Sequence, residues 1–316
     1  MYQVSKCAPQ ESLRDLDQAF KNFFEGRAAY PQFRSRKSGT NNFRLTGSIK
    51  VFHDSIQLPR IGRVRLKEKG YLPTEGVHIL SVTVSERAER WFVSLLVEEE
   101  IEVPVNSGPV VGVDVGVSKL ATLSDGTTIE NPRTLARYER KRKRLQRSLS
   151  RKTKDSRNRC KVKMRLAQCE FRIANIRRDA PHKATAMLAR TKSAIGVESL
   201  NVAGLLKNHC LAKQIADAGL GEFFRQLYYK AQWYGSVVVE ADPFFPSTKQ
   251  CSHCGAVKDE MLLSERTFKC GCCGFEVDRD LNAALNLAYV AASWAETHTK
   301  RLPERRGSCP KAGAPL

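Results

Sequence analysis

The period of the apolar positions changes several times along the chain, and each change predicts an element. In "ESLRDLDQAFKNFF" (11–24), Leu13, Leu16, Ala19, Phe20, Phe23 and Phe24 recur at helical spacing. This predicts an amphipathic helix whose apolar stripe packs against another surface. Pro31 and Gly39 break the pattern amid basic residues. From about 42 to 102 the period falls towards two, in "NNFRLTGSIKVF", "SIQLPRIGRVRLKEKG" and "HILSVTVSERAERWFVSLLVEEE". These runs predict antiparallel strands with an exposed basic face and turns at Gly47, Pro59 and Gly70. "VPVNSGP" reads as a linker.

The second half alternates strands with helices. Strands are expected at 110–117 and 119–123, and then a long basic stretch runs from Arg137 to Leu188 as two helices broken near "RKTKDSRNR". Candidate buried positions there are Leu145, Leu149, Met164, Leu166 and Ile173. "AIGVESL" (194–200) is a further apolar strand, "AGLGEFFRQLYYKAQWYG" a helix with an aromatic face, and "SVVVEADPFF" a strand that gives way to a loop. "DRDLNAALNLAYVAASWAE" is a helix with acids at its start, and "KRLPERRGSCPKAGAPL" has the composition of a disordered tail. The alternation implies a mixed α/β sheet covered by helices.

Charge narrows the function. The 316 residues carry 53 Lys and Arg against 33 Asp and Glu, a formal charge of +20. Such an excess predicts a polyanionic partner, foremost nucleic acid. An apolar run long enough for a membrane span is missing from the sequence, as is a signal-peptide pattern, so the expectation is a soluble, cytoplasmic protein with no membrane partner. Of ten cysteines, four form two C-x-x-C pairs and six are scattered, a distribution that suits metal binding in a reducing compartment.

Cys251, Cys254, Cys270 and Cys273 give C-x2-C-x15-C-x2-C, the spacing of a four-thiolate zinc site. Four sulfurs close a tetrahedral shell, so this zinc is expected to be structural. Cys272 and His253 lie beside the ligands and could substitute for one of them, with surface positions on a knuckle as the expectation.

Three acids, Asp114, Glu198 and Asp280, follow or open apolar elements in "VVGVD", "AIGVE" and "FEVDRD". Strand ends of an α/β sheet collect ligand sites, and carboxylates gathered there repel unless cations neutralise them. All-oxygen ligation suits Mg²⁺ or Mn²⁺, and two such ions can drive phosphodiester hydrolysis. An acid ending a strand is also commonly a solvated turn residue, and pattern alone leaves that alternative open.

The basic segment 137–165 supplies candidate phosphate contacts: Arg140, Lys141, Arg142, Lys143, Arg144, Arg147, Arg151 and Lys152, joined by Lys249 near the cysteines. A solvated helical face is the alternative. Trp233, Tyr234, Phe244 and Phe245 could stack on bases, with core packing the expectation for most of them.

The segments "GVDVGVSKLATLSDG", "GVESLNVAGLLKN", "DAGLGEFFRQLYYKAQWYG", "FFPSTKQCSHCG", "LSERTFKCGCCG" and "DRDLNAALNLA" together resemble the TnpB (OrfB) family of insertion-sequence proteins, relatives of type V CRISPR effectors. They stand in the family's order, and the likeness extends over about residues 11–290. The resemblance implies an RNase H-like RuvC nuclease fold with an inserted zinc ribbon, α/β plus β overall. A partial antiparallel β-barrel, the wedge, and a helical segment would precede it.

The implied division is 1–41 as a remnant of the helical recognition segment, 42–105 wedge-like, 106–247 the larger RuvC-like nuclease segment, 248–276 zinc ribbon, 277–296 the RuvC-like segment that completes the nuclease, and 297–316 tail. The implied activity is an RNA-guided DNA endonuclease with Asp114, Glu198 and Asp280 as catalytic, metal-binding acids. In "DRD" the family pattern selects the second acid, leaving Asp278 as its neighbour. Implied cofactors are structural Zn²⁺, catalytic Mg²⁺ or Mn²⁺ and a transposon-encoded guide RNA; the implied partner is DNA, with a monomer as the expected state. Against the family pattern the chain starts close to its first helix, without the usual preceding strand and helical portion. A nuclease-inactive nucleic-acid-binding regulator, or a truncated transposon remnant of the kind labelled transposase, is therefore the alternative.

Overall fold

The computed structural model describes residues 5–33, 41–262 and 264–298. The basic stretch at 34–40 and, from residue 299, the expected tail lie outside them; residues 297 and 298, expected to open that tail, instead end the helix Arg279–His298. The chain divides into two compact units, Met1–Glu102 with Leu145–Phe171, and Val103–Arg144 with Arg172–Leu316.

The first unit begins with helix α1 (Cys7–Phe24), followed by strands β1 (Asn42–Leu45), β2 (Lys50–Phe52), β3 (Ser55–Leu58), β4 (Gly62–Arg65), β5 (His78–Arg87) and β6 (Arg90–Glu98). The strands form two antiparallel three-stranded sheets, ordered β1-β5-β6 and β2-β3-β4. Alternation turns Leu45, Val51, Ile56, Leu58, Val82 and Val84 into one shared core. The β5–β6 hairpin closes through Ala88 and Glu89, both at positive φ (54° and 64°), as a two-residue turn matched to strand twist requires.

Helix α1 departs from expectation. Leu13, Leu16 and Phe24 are exposed, and the residue it buries is an acid, Glu11. The carboxylate is held by Arg14 at 2.6 Å, with Arg44 at 3.8 Å. Cys7 and Ala8, in the first turn, are what meet the core. Phe20, Phe23, Phe24 and Tyr30 pack on one another.

In the second unit, β7 (Val111–Val115), β8 (Lys119–Leu123) and β9 (Thr128–Glu130) form an antiparallel meander. Helices α2 (Thr134–Ser150) and α3 (Arg157–Thr191) follow, with residues 145–171 counted in the first unit; their break at 151–156 falls where the sequence places it. Then come β10 (Ala194–Val197), short helices α4 (Val202–Leu205) and α5 (Ala212–Ala218), α6 (Leu220–Tyr234) and β11 (Val237–Glu240). Strands β10 and β11 add in parallel to β7, so the sheet order is β11-β10-β7-β8-β9. β12 (Thr267–Lys269) and β13 (Glu276–Asp278) form a small hairpin before the long helix α7 (Arg279–His298).

The central strands are buried almost throughout, against Ala184 and Leu188 of α3 and Phe223, Phe224 and Leu227 of α6. The aromatics divide. Phe223 lies in the core, whereas Trp233 is 56% and Phe244 93% exposed, so core packing fails as an account of those two. Among the described residues, no helix is long and apolar enough to cross a membrane.

Candidate active site and metal centre

Asp114 is the fourth residue of β7, and the β7–β10 ladder pairs Val113 with Val197. One residue further along, Asp114 and Glu198 stand level at the same end of adjacent parallel strands, about 4.8 Å apart in the hydrogen-bonding direction. Strand alternation turns Asp114 to the face of Gly112, and Glu198 to the face of Gly196. That face is covered by α7. A Cβ on Gly112 would stand 1.9 Å from the Ala284 carbonyl oxygen, and one on Gly196 would stand 2.1 Å from that of Leu287. The two glycines therefore set how closely the helix approaches.

Asp280 lies one turn before Ala284, roughly 6 Å back along the helix, and Asp114 lies two residues, roughly 6.6 Å, beyond Gly112. The three acids thereby converge at one end of the sheet, and their charges interact. The Asp114 carboxyl is pushed up to about 8, first by burial, then by Glu198 and Asp280, with Arg279 pulling the other way.

Each neighbour has its own anchor. Glu198 accepts a short hydrogen bond from the Ser247 hydroxyl. Asp280 pairs with Arg279 at 3.2 Å, both side chains largely buried. Asp278 instead caps α7, its Oδ1 accepting the backbone N–H groups of Asp280 (3.0 Å) and Leu281 (3.2 Å). The two acids of "DRD" thus have separate places, one at the helix end and one turned to the cluster. The donor set, three half-buried carboxylates, is of the kind that hard divalent cations prefer.

The cysteines fit zinc directly. The four Sγ atoms lie within 4.8 Å of one another, with Cys251–Cys273 at 3.7 Å and Cys254–Cys270 at 3.6 Å. Tetrahedral zinc with about 2.3 Å bonds requires sulfurs about 3.8 Å apart. Each knuckle turns tightly, Gly255 N–H donating to the Cys251 carbonyl and Gly274 N–H to that of Cys270. Backbone N–H groups of Cys273 and Cys272 lower the Cys270 thiol, while the neighbouring thiols raise that of Cys273, so the metal-free cluster holds its protons unequally. Phe268 is the buried side chain beneath, with Ala256, Met261, Phe275 and Val277 around it. Cys272 and His253 are exposed, and the His253 ring stacks on Phe275. Among the described residues no other group of three or more Cys, His, Asp or Glu side chains closes to that spacing. The three acids are near one another without being drawn into a shell, as like charges would be.

Two family patterns match the chain: OrfB_IS605, described as "Probable transposase", over residues 92–209, and "Cas12f1-like, TNB domain" over residues 221–287. A Streptomyces pristinaespiralis protein named "Putative RNA-guided DNA endonuclease" is 39% identical over 296 residues, covering 92% of this chain and 73% of its own. InsQ of Escherichia coli K12, which bears the same description, is 38% identical over 297 residues, covering 88% and 72%. The chain belongs to the TnpB (OrfB) family. The first pattern takes in Asp114 and Glu198, and the second the cysteines and Asp280. The CRISPR-associated endodeoxyribonuclease Cas12f1 of Sulfoacidibacillus thermotolerans is more distant, 23% identical over 215 residues, covering 64% of this TnpB-family chain and 51% of its own.

Other features of this TnpB-family site escape a reading by motif. Asn282 and Asn286, both buried on α7, act as clamps. Asn282 accepts from Ser252 N–H and donates to the Gln250 carbonyl, while Asn286 donates to the carbonyls of Ser247 and Gln250. They tie the loop carrying Ser247 and the first knuckle to the helix carrying Asp280. Two asparagines four apart on a helix face otherwise occupied by alanine and leucine are the available signal. A cavity of about 430 Å³ opens beside Glu198, lined by Leu200, Pro243, Phe244, Phe245, Ser247 and Lys249 among others. On α2, Arg140, Lys141, Lys143, Arg144 and Arg147 are exposed, as are Arg151 and Lys152 just beyond it; Arg142 is half-buried. Lys143 is engaged by Glu139 at 3.0 Å.

Proposed function

We propose that this chain is an RNA-guided DNA endonuclease in which Asp114, Glu198 and Asp280 hold catalytic Mg²⁺ or Mn²⁺. The convergence of these acids from β7, β10 and α7 on one end of the sheet is its main support. The names of the relatives at 38–39% identity point the same way. An order of three antiparallel strands followed by two parallel ones, β9-β8-β7-β10-β11, is the arrangement of RNase H-like nucleases, to which we assign the second unit.

Bound divalent ions supply a nucleophilic water at neutral pH and stabilise the leaving oxygen. The chain's own residues prepare that chemistry. The β7–β10 register sets two carboxylates level, Ser247 fixes the Glu198 rotamer, and α7 delivers Asp280 at a height set by Gly112 and Gly196. The ribbon at 248–276 takes structural zinc. The sheets within 42–105 are assigned as wedge-like, gripping guide RNA and the DNA beside the target. The exposed bases of α2, with Arg151, Lys152 and Lys249, are assigned to nucleic-acid phosphates. Such a nuclease would act in the cytoplasm as a monomer loaded with one transposon-encoded RNA.

Asp114→Ala tests the assignment. With guide RNA and Mg²⁺ supplied, cleavage of a matched DNA should be lost while RNA and DNA binding persist. Cleavage at the wild-type rate would reject the acid cluster as the catalytic centre.

A further inference from the structure

The cavity beside Glu198 is built from two loops, Ser199–Leu200 after β10 and residues 241–249 after β11. The second loop holds Phe244 in solvent, 93% exposed, on a backbone with little freedom. Pro243 and Pro246 fix two φ angles. Asp242 accepts the Phe244 N–H through Oδ1 at 2.8 Å and the Phe245 N–H through its carbonyl at 2.9 Å. Asn286 of α7 holds the far end by the Ser247 carbonyl at 2.7 Å. An aromatic ring presented on a stiff loop is costly in the free protein and cheap to use, because little entropy remains to be lost when it is covered.

Two features decide what covers it. Glu198 lines the same cavity, so its occupant is adjacent to the acid cluster. Lys249 also lines it and spends one N–H on the Asp259 carbonyl at 2.8 Å, leaving two donors for an anion. A flat apolar surface with an ammonium beside it is the chemistry of a nucleotide in a single strand: a base to stack and a phosphate to pair.

We propose that this cavity is a single-strand nucleotide subsite, in which Phe244 stacks on the base neighbouring the scissile phosphate and Lys249 pairs with a flanking phosphate. The subsite rests on the nuclease reading for its purpose. It makes Phe244 a positioning residue that feeds an unpaired strand past Glu198 without reading its sequence, since every base has a stacking face.

The test measures binding, in the full chain carrying Asp114→Asn so that no strand is cut. The probes are a short single-stranded DNA and the same deoxyribose-phosphate chain without bases. Phe244→Ala should weaken binding of the first about 5- to 150-fold, the range expected for one stacked base, and leave the second unchanged. Phe244→Trp should retain affinity, and its added indole emission should be quenched by the base-bearing strand alone. Equal effects of Phe244→Ala on both probes, no effect on either, or full affinity in Phe244→Leu would overturn the proposal. Because no cleavage is read, failure here is separate from failure of the acid cluster, which the Asp114→Ala assay decides.

Discussion

Gly112 and Ala284 are in backbone contact: a methyl group on the glycine would lie 1.9 Å from the Ala284 carbonyl oxygen and 2.3 Å from the Ala288 nitrogen. Neither of those atoms belongs to a flexible side chain, so Gly112→Ala must lift α7 from the sheet. Overpacking of this kind typically costs about 1–3 kcal/mol. Chemical denaturation should register at least that loss. Cleavage should fall further than stability explains, because the lifted helix carries Asp280. An unchanged denaturation midpoint would mean that the helix is not seated as described.

Asp114 gives a pH dependence with a definite sign. In the unfolded chain it ionises near 4, whereas in the fold it is raised to about 8 by burial and then by Glu198 and Asp280. Between those values the metal-free fold keeps a proton that the unfolded chain has released. The stabilisation is therefore complete below the lower value and lost as pH rises through the upper one. From about pH 5 to 8, the metal-free melting temperature should decline more for the wild type than for Asp114→Asn. Mg²⁺ binding, which must displace that proton, should tighten over the same window. Parallel melting curves for the two proteins would contradict this.

Asn286 donates to two backbone carbonyls, those of Ser247 and Gln250, from a site 5% exposed. Asn286→Ala leaves both without that donor, at a cost of about 1–3 kcal/mol. It should also release Ser247 from its place at Glu198, lowering kcat more than nucleic-acid affinity. A variant with wild-type urea denaturation and wild-type kcat would show that the clamp is dispensable.

Cys254→Ser removes one of four sulfurs already spaced for tetrahedral ligation. Zinc content by elemental analysis should become substoichiometric, and amide protection should be lost across β12 and β13, because metal binding and folding of such a module are coupled. The five-stranded sheet has its own core and should keep its protection. Full zinc retention in the variant would exclude Cys254 as a ligand.

The elements legible in the sequence are those set by local signals. The break between α2 and α3, the strand at 110–117 and the two cysteine knuckles each depend on residues near in sequence, and each is found. The place of β1 is not legible, because it pairs with β5 across the whole β2-β3-β4 sheet, a choice made by the shared core around Ile56 and Val82. The stripe on α1 has helical period but is covered only in part, Leu13, Leu16 and Phe24 being exposed while Ala19, Phe20 and Phe23 are half-buried; periodicity reports amphipathicity and is silent about how far a partner surface extends. Gly112 and Gly196 look like ordinary strand glycines until α7 is set against them. Phe244 defies the core-packing expectation because an aromatic ring between prolines carries no mark of whether it points in or out.

Helix α7 supplies Asp280, rests on both glycines, and grips the loop that leads to the ribbon. It is also the last described element to leave the ribosome. A nascent chain has its β7 and β10 carboxylates long before this helix, so the three acids can gather only once α7 has been made and has settled on the sheet.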